Sequence, residues 1–178
     1  MILLMVLVLT SACNQEDEED KGPLSIRHDL DIYDVETTPY EGKIVFDLSS
    51  EEILSEIEEP IEITTVYQTT LYLAETVERD DSMVVLTVGF DYNYQSPSGE
   101  MLSLYHLYEE GRFTSSGVEI KVFDEDGKEL DVARGSGDGE KYGYEQWVGV
   151  QIPKELLTDN EDFTFEIDGL YVLDYRER

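Results

Sequence analysis

Apolar and polar residues alternate with a period of two along most of this chain. Ile61, Ile63, Thr65, Tyr67, Thr69, Leu71 and Leu73 share one parity, and Val84, Leu86, Val88, Phe90, Tyr92 and Tyr94 share another. A period of two sends successive side chains to opposite faces of an extended backbone, so each run reads as a strand with one face in a core. Glu78 to Ser82 is the charged turn between them. Further runs occur at Ile26 to Ile32, Lys43 to Leu48, Val118 to Val122, Tyr144 to Ile152 and Phe163 to Tyr175. Asp126-Gly127 separates Val118, Ile120 and Val122 from Leu130 and Val132, and an Asp-Gly pair between alternating runs is a strong hairpin signal. The glycine-rich stretch Gly135 to Gly143 reads as a loop, and Met101 to Tyr108 fits helix and strand equally well. One short helix is expected after Ser49. Ser49 and Glu52 have capping-box spacing, Leu48 and Ile53 occupy the staple positions, and Pro60 marks its limit.

Short strands with regular turn signals predict a mainly β protein, an antiparallel β-sandwich with one short helix and an N-terminal strand extension. A chain of 178 residues buries about 70 % of its unfolded surface, so it needs no disulfide. It has a single cysteine and cannot form one internally.

That cysteine has a particular setting. Ile2 to Leu9 are all apolar, Thr10, Ser11 and Ala12 are small, and Cys13 follows. The run has the length of a signal-peptide core and is far shorter than the ~20 residues of a spanning helix. A positive segment should precede it, so coding sequence upstream of Met1 is expected. Leu9-Thr10-Ser11-Ala12-Cys13 resembles the bacterial lipobox, with Thr10 where leucine is usual. The resemblance implies cleavage after Ala12, a diacylglyceryl thioether on Cys13 and attachment to the extracytoplasmic face of the cell membrane. Two acyl chains are what stable anchoring takes. Asn14 to Pro23 is polar and acidic, with nothing apolar to bury, and reads as a disordered tether.

The chain carries 42 acidic and 12 basic residues, a formal charge of −30. Such a surface repels nucleic acid and anionic headgroups. Three explanations fit it: a solvated surface suited to saline or alkaline surroundings, a cation-binding surface, or attraction to a basic partner.

The chemistry-bearing motifs are few. The sequence has no phosphate-cradling glycine loop, no paired-cysteine metal signature and no Gly-x-Ser-x-Gly elbow. His28 and His106 stand apart from each other and from Cys13. No catalytic residue, resident metal or cofactor is expected, and the chain is read as a non-enzyme. Asp124-Glu125-Asp126-Gly127 resembles a calcium loop only in part, because its glycine comes too early. Asp124 and Asp126, joined by Asp138 if the fold brings it near, are a candidate cation site beside the plainer reading of a hairpin turn. On Tyr144 to Ile152, Val148, Val150 and Ile152 share a face with Tyr144, which leaves Trp147 on the other with Glu145, Gly149 and Gln151. Trp147, with Tyr142 and Tyr144, is a candidate ligand platform. The competing reading has Trp147 filling a core, with Gly149 marking a bulge.

Thr70 to Val77, a turn, then Met83 to Phe90, with Phe163 to Gly169 at the end, resembles the immunoglobulin-like domains of Gram-positive lipoproteins and of the exported parts of anti-sigma factors. The resemblance covers residues 61–178 and implies an immunoglobulin-like sandwich without carrying over any functional residue. The expected organisation is a signal peptide over 1–12, lipidated Cys13 and tether over 13–23, strands and a short helix over 24–60 packed on the sandwich, and the sandwich over 61–178. The expected role is a membrane-anchored, non-enzymatic module that binds an envelope protein or assists an envelope complex. The alternative is a carbohydrate- or cation-binding module beside an exported enzyme.

Overall fold

A computed structural model describes residues 22–178 apart from 80, 81, 109, 110, 116 and 140. The expected signal sequence, Cys13 and the expected tether up to residue 21 lie outside the described residues. The strands are β1 (Tyr33–Pro39), β2 (Ile44–Ser49), β3 (Ile61–Val66), β4 (Thr69–Arg79), β5 (Met83–Tyr92), β6 (Ser98–Ser103), β7 (Tyr105–Leu107), β8 (Phe113–Ser115), β9 (Glu119–Asp124), β10 (Ala133–Asp138), β11 (Gln146–Pro153), β12 (Asp162–Asp168) and β13 (Tyr171–Glu177). Helices α1 (Pro23–His28), α2 (Ser50–Leu54) and α3 (Lys154–Asp159) are each about one turn and a half. None of the described helices is long and apolar enough to cross a membrane.

The protein is mainly antiparallel β and forms a sandwich. One layer is a five-stranded sheet in the order β10-β11-β5-β4-β3. The facing layer combines β2-β12-β9 with β1-β13-β6. These two three-stranded sheets share a ribbon: β1 leads into β2, β12 into β13, and Tyr40 N–H donates to the Leu170 carbonyl at the bend between the ladders. Gly169, at a φ of 76°, makes that bend, where any Cβ carries strain and would also press on the Gly117 carbonyl. The expected single strand from Phe163 to Tyr175 is therefore two. β1 and β2 are paired members of the second layer.

Alternation builds the core as expected from the sequence. Leu71, Leu73, Val84, Leu86, Val88, Phe90, Val148, Val150 and Ile152 point inward from the large sheet. Ile44, Ile120, Val122, Phe163, Phe165 and Ile167 meet them from the other layer. Phe165 is fully buried and stacks on Phe46 at 5.0 Å, and cutting such a ring back to alanine costs about 3–5 kcal/mol. A second cluster of Ile26, Tyr33, Met101, Leu173 and Tyr175 lies under α1.

The capping box at Ser49 is present: its hydroxyl accepts from Glu52 N–H at 3.3 Å, and Glu52 accepts from Ser49 N–H at 2.8 Å. The Asp124–Gly127 turn forms too, closed by Gly127 N–H to the Asp124 carbonyl, but the return is a single bridge from Phe123 to Glu129 rather than the strand expected at Leu130 and Val132. Several segments differ from expectation, among them the unexpected helix α3 after Pro153. Residues 23–28 are helical, because Pro23 fixes the first turn and Pro23 and Ile26 bury on one side of it, while Ile32 is exposed. The run from Ile61 to Leu73 is broken into a hairpin at Tyr67, which takes a φ of 53° without the glycine or asparagine that usually announces such a turn. Ala133–Asp138, which from Gly135 onward reads as glycine-rich loop, is the edge strand β10.

Candidate functional site

The outward face of the five-stranded sheet carries a site built from three successive rungs of the ladder. In the first rung Gly137, Trp147, Gly89, Tyr72 and Glu62 face one another across all five strands. Their inward neighbours Val148, Val88, Phe90, Leu71 and Leu73 are buried, so this rung points away from the core. The second rung is Gly135, Gly149, Thr87 and Glu75, and the third is Ala133, Gln151, Val85 and Val77. A bulge at Ala74 keeps β4 in phase with this face.

The glycines determine the shape. The Trp147 indole lies along the sheet on Gly137, where a Cβ would stand 2.9 Å from its Cζ2. The Tyr144 ring lies on Gly89 in the same way and is 6.2 Å from Tyr72. Tyr142 meets Trp147 edge-on at 5.5 Å and 82°. Four half-buried aromatic rings thus run across the strands as two pairs. Trp147 and Tyr72 are two strand spacings apart, about 10 Å. Beside this ridge the second rung is low, since Gly135 and Gly149 have no side chains. The result is a trough of about 410 Å³ with Trp147 and Tyr142 on one wall, and Val85, Val77 and Gln151 on the other. Its ends are polar: Arg134 pairs with Glu129 at 2.8 Å, and Glu78 with Lys154 at 2.7 Å. Glu75 and Arg79 also line it.

The loop from Gly139 to Glu145 carries two of the four rings. It is closed by Gly139 N–H donating to the Glu145 carbonyl at 2.8 Å. Tyr142 sits at a φ of 61° and ψ of 16°, a left-handed conformation uncommon for a bulky residue, with a cost of order 1 kcal/mol or more. Glu145, between Tyr144 and Trp147, accepts from Leu24 N–H at the start of α1, and lines a cavity there with Tyr144, Leu24 and Ser25. Burial pushes this carboxyl up to about 7, against the lowering effect of the Leu24 and Ser25 N–H groups and of Arg27.

The sequence-derived site residues separate into two groups. Tyr142 and Trp147 line the trough, while Tyr144 lies beside it on Gly89 and lines a separate cavity with Glu145, Leu24 and Ser25. Asp124 and Asp126 share a turn, in which Asp124 Oδ1 accepts from Asp126 N–H at 3.2 Å and Lys128 N–H at 2.8 Å. Asp138 is elsewhere, bound to Arg27 at 2.8 Å. Burial works to raise its carboxyl, but hydrogen bonds from Arg27 and Tyr105 outweigh this and hold it below the usual range. Among the described residues no three His, Cys, Asp or Glu side chains gather in a metal-holding group. His106 is packed between Tyr171 and Tyr108, with Nδ1 2.9 Å from the Thr37 hydroxyl, while His28 is exposed on α1.

Sequence reasoning missed Tyr72, the three partner glycines and the role of Glu145. The usable signal was the spacing Gly135, Gly137 and Gly149 beside one tryptophan, since glycines within a strand mark a close approach of another group. Comparison with protein-family models, curated proteins and solved structures finds no match to this chain.

Proposed function

We propose that the protein is a surface-tethered, non-enzymatic binding module that holds a neutral glycan in the trough across its five-stranded sheet. The observation that carries this reading is the single rung Gly137–Trp147–Gly89–Tyr72, whose glycines seat the half-buried Trp147 and Tyr144 rings along the outward face of the sheet. A sugar ring has a flat C–H face and a rim of hydroxyls. Aromatic π-faces take the first, and the carboxylates and guanidinium groups at the ends of the trough, with the Gln151 amide on its wall, take the second. The glycine floor lets an extended chain approach the backbone. The charge of −30 disfavours polyanionic glycans and favours neutral or cationic ones. A lipid on Cys13, with the acidic segment after it, holds this face at the outer surface of a cell membrane.

The test is calorimetric titration of the chain with neutral hexasaccharides of glucose, xylose, mannose and N-acetylglucosamine. Binding that disappears in Trp147→Ala, with the fold retained by circular dichroism, supports the reading. Binding to none of them, or binding indifferent to Trp147, removes it.

A further inference from the structure

The loop that bears Tyr142 and Tyr144 is fastened at both ends to the segment that joins the fold to its tether. At one end Asp138, the last residue of β10, is bound by Arg27 of α1 at 2.8 Å. At the other, Glu145 accepts the Leu24 N–H. Gly22, just before α1, is pressed against the Glu145 carboxylate and the Tyr92 ring, so closely that a Cβ there would collide with both. Arg27 is further held over the Tyr105 ring at 4.7 Å. Ile26 is fully buried in the cluster beneath and fixes α1 in place. These contacts join residues more than a hundred positions apart.

We infer that Glu145 and Asp138, gripped by α1, are positioning residues for the aromatic wall, so that docking of the membrane-proximal helix sets the binding competence of the trough. This rests on the reading of the trough as the binding face. Within the loop, order comes from the Gly139–Glu145 backbone bond and from the seating of Tyr144 on Gly89 and Tyr142 against Trp147; α1 holds it from outside its own sheet. Tyr142 is in a strained conformation, and the β10 edge beneath is exposed and glycine-rich. Beside the docked contact the Tyr92 hydroxyl is buried and has no hydrogen-bond partner among the described residues. The hydrogen bond at Glu145 and the partly exposed ion pair at Asp138 each add only modest net stability. A pull on the tether, or its release, then reaches Tyr142 and Tyr144 through the two ends of their own loop.

The groups facing Glu145 are Arg27 from α1, Asp138 from β10, and Tyr92 and Asp91 from β5, with Tyr105 of β7 behind Asp138. The docked carboxyl holds its proton up to about pH 7, whereas a free loop gives it up near the ordinary glutamate value. Docking therefore weakens as pH rises from about 4.5 to 7 and is constant above that.

Trp147 is the sole tryptophan, so its fluorescence reports the wall directly. The experiment compares acrylamide quenching in the full chain, in Arg27→Ala, in Asp138→Asn and in Glu145→Gln, with circular dichroism melts as the control for folding. Expected are stronger quenching in Arg27→Ala and Asp138→Asn, and quenching that increases from pH 4.5 to 7 in the parent and is flat in Glu145→Gln. If either folded variant, Arg27→Ala or Asp138→Asn, quenches like the parent, the inference fails. It fails equally if Glu145→Gln keeps the parent's pH response. The hexasaccharide titrations separate the two proposals. A parent that binds no sugar but shows these quenching changes loses the glycan and keeps the positioning role. A parent that binds, with affinity and quenching untouched in the variants, keeps the glycan and loses the positioning role.

Discussion

The indole of Trp147 lies on Gly137, the residue opposite it on the neighbouring strand, and fills the space where a side chain would stand. Gly135, two residues earlier on the same face, has nothing within 4 Å of its missing Cβ. Gly137→Ala and Gly135→Ala should therefore diverge. Gly137→Ala lifts the ring and costs about 1–3 kcal/mol of overpacking, with a shift in tryptophan emission. Gly135→Ala restricts only the unfolded chain and adds about 0.4–1 kcal/mol. Urea melts followed by fluorescence check both, and equal effects would mean that the indole does not rest on Gly137.

Trp147 itself is half-buried, between the core and platform readings of the sequence. Trp147→Ala should cost about 1–2 kcal/mol, more than an exposed residue and less than the 3–5 kcal/mol of a core aromatic. Thermal denaturation gives the value. A loss in the core range would mean that the ring is a structural plug.

Strain at Tyr142 separates stability from binding. Tyr142→Gly removes the left-handed cost of order 1 kcal/mol, but also the ring that meets Trp147. The expected outcome is a melting temperature equal to or above the parent's, with weakened sugar binding. A lower melting temperature would show that the ring contact outweighs the strain.

The acidic surface acquires a specific address in the second layer. Glu36, Asp174 and Glu100 are exposed and directly opposite one another on β1, β13 and β6. Like charges facing across a ladder are destabilising, by about 0.2–1 kcal/mol per pair. Asp174→Lys converts two repulsive pairs into attractive ones and should raise stability, most at low ionic strength, where the Debye length is about 30 Å at 0.01 M. Melting curves in increasing sodium chloride check this. The parent should gain stability with salt, and the variant should gain less.

Much of the fold was legible because burial enforces a period of two. The runs that became β4, β5, β11 and β12 have one face in the core, and a slip of one residue would expose it. Ser49 with Glu52, and Asp126-Gly127, carry their geometry in their own side chains. β10 was illegible for the reason that makes it useful. Its glycines make room for Trp147, and a strand without side chains on one face has no alternation to show. The Tyr67 turn and the helix at Ile26 depend on contacts made only in the folded protein. For the site, Trp147, Tyr142 and Tyr144 could be named from sequence. Tyr72 and Glu145 could not, because only strand register and the docking of α1 bring them in.

Anchoring is tested at Cys13, the one thiol in the chain. Cys13→Ala should move the protein from the detergent phase to the aqueous phase, or leave it unprocessed. A variant that partitions like the parent would remove the lipid from the proposal.

The most direct measurement is titration of the parent and Trp147→Ala with the four neutral hexasaccharides, read both as heat and as Trp147 emission. At least one sugar should bind the parent, change the emission of its single tryptophan, and fail to bind the variant. Binding with no change in Trp147 emission, or no binding at all by a folded parent, would contradict a glycan held on the aromatic face of the sheet.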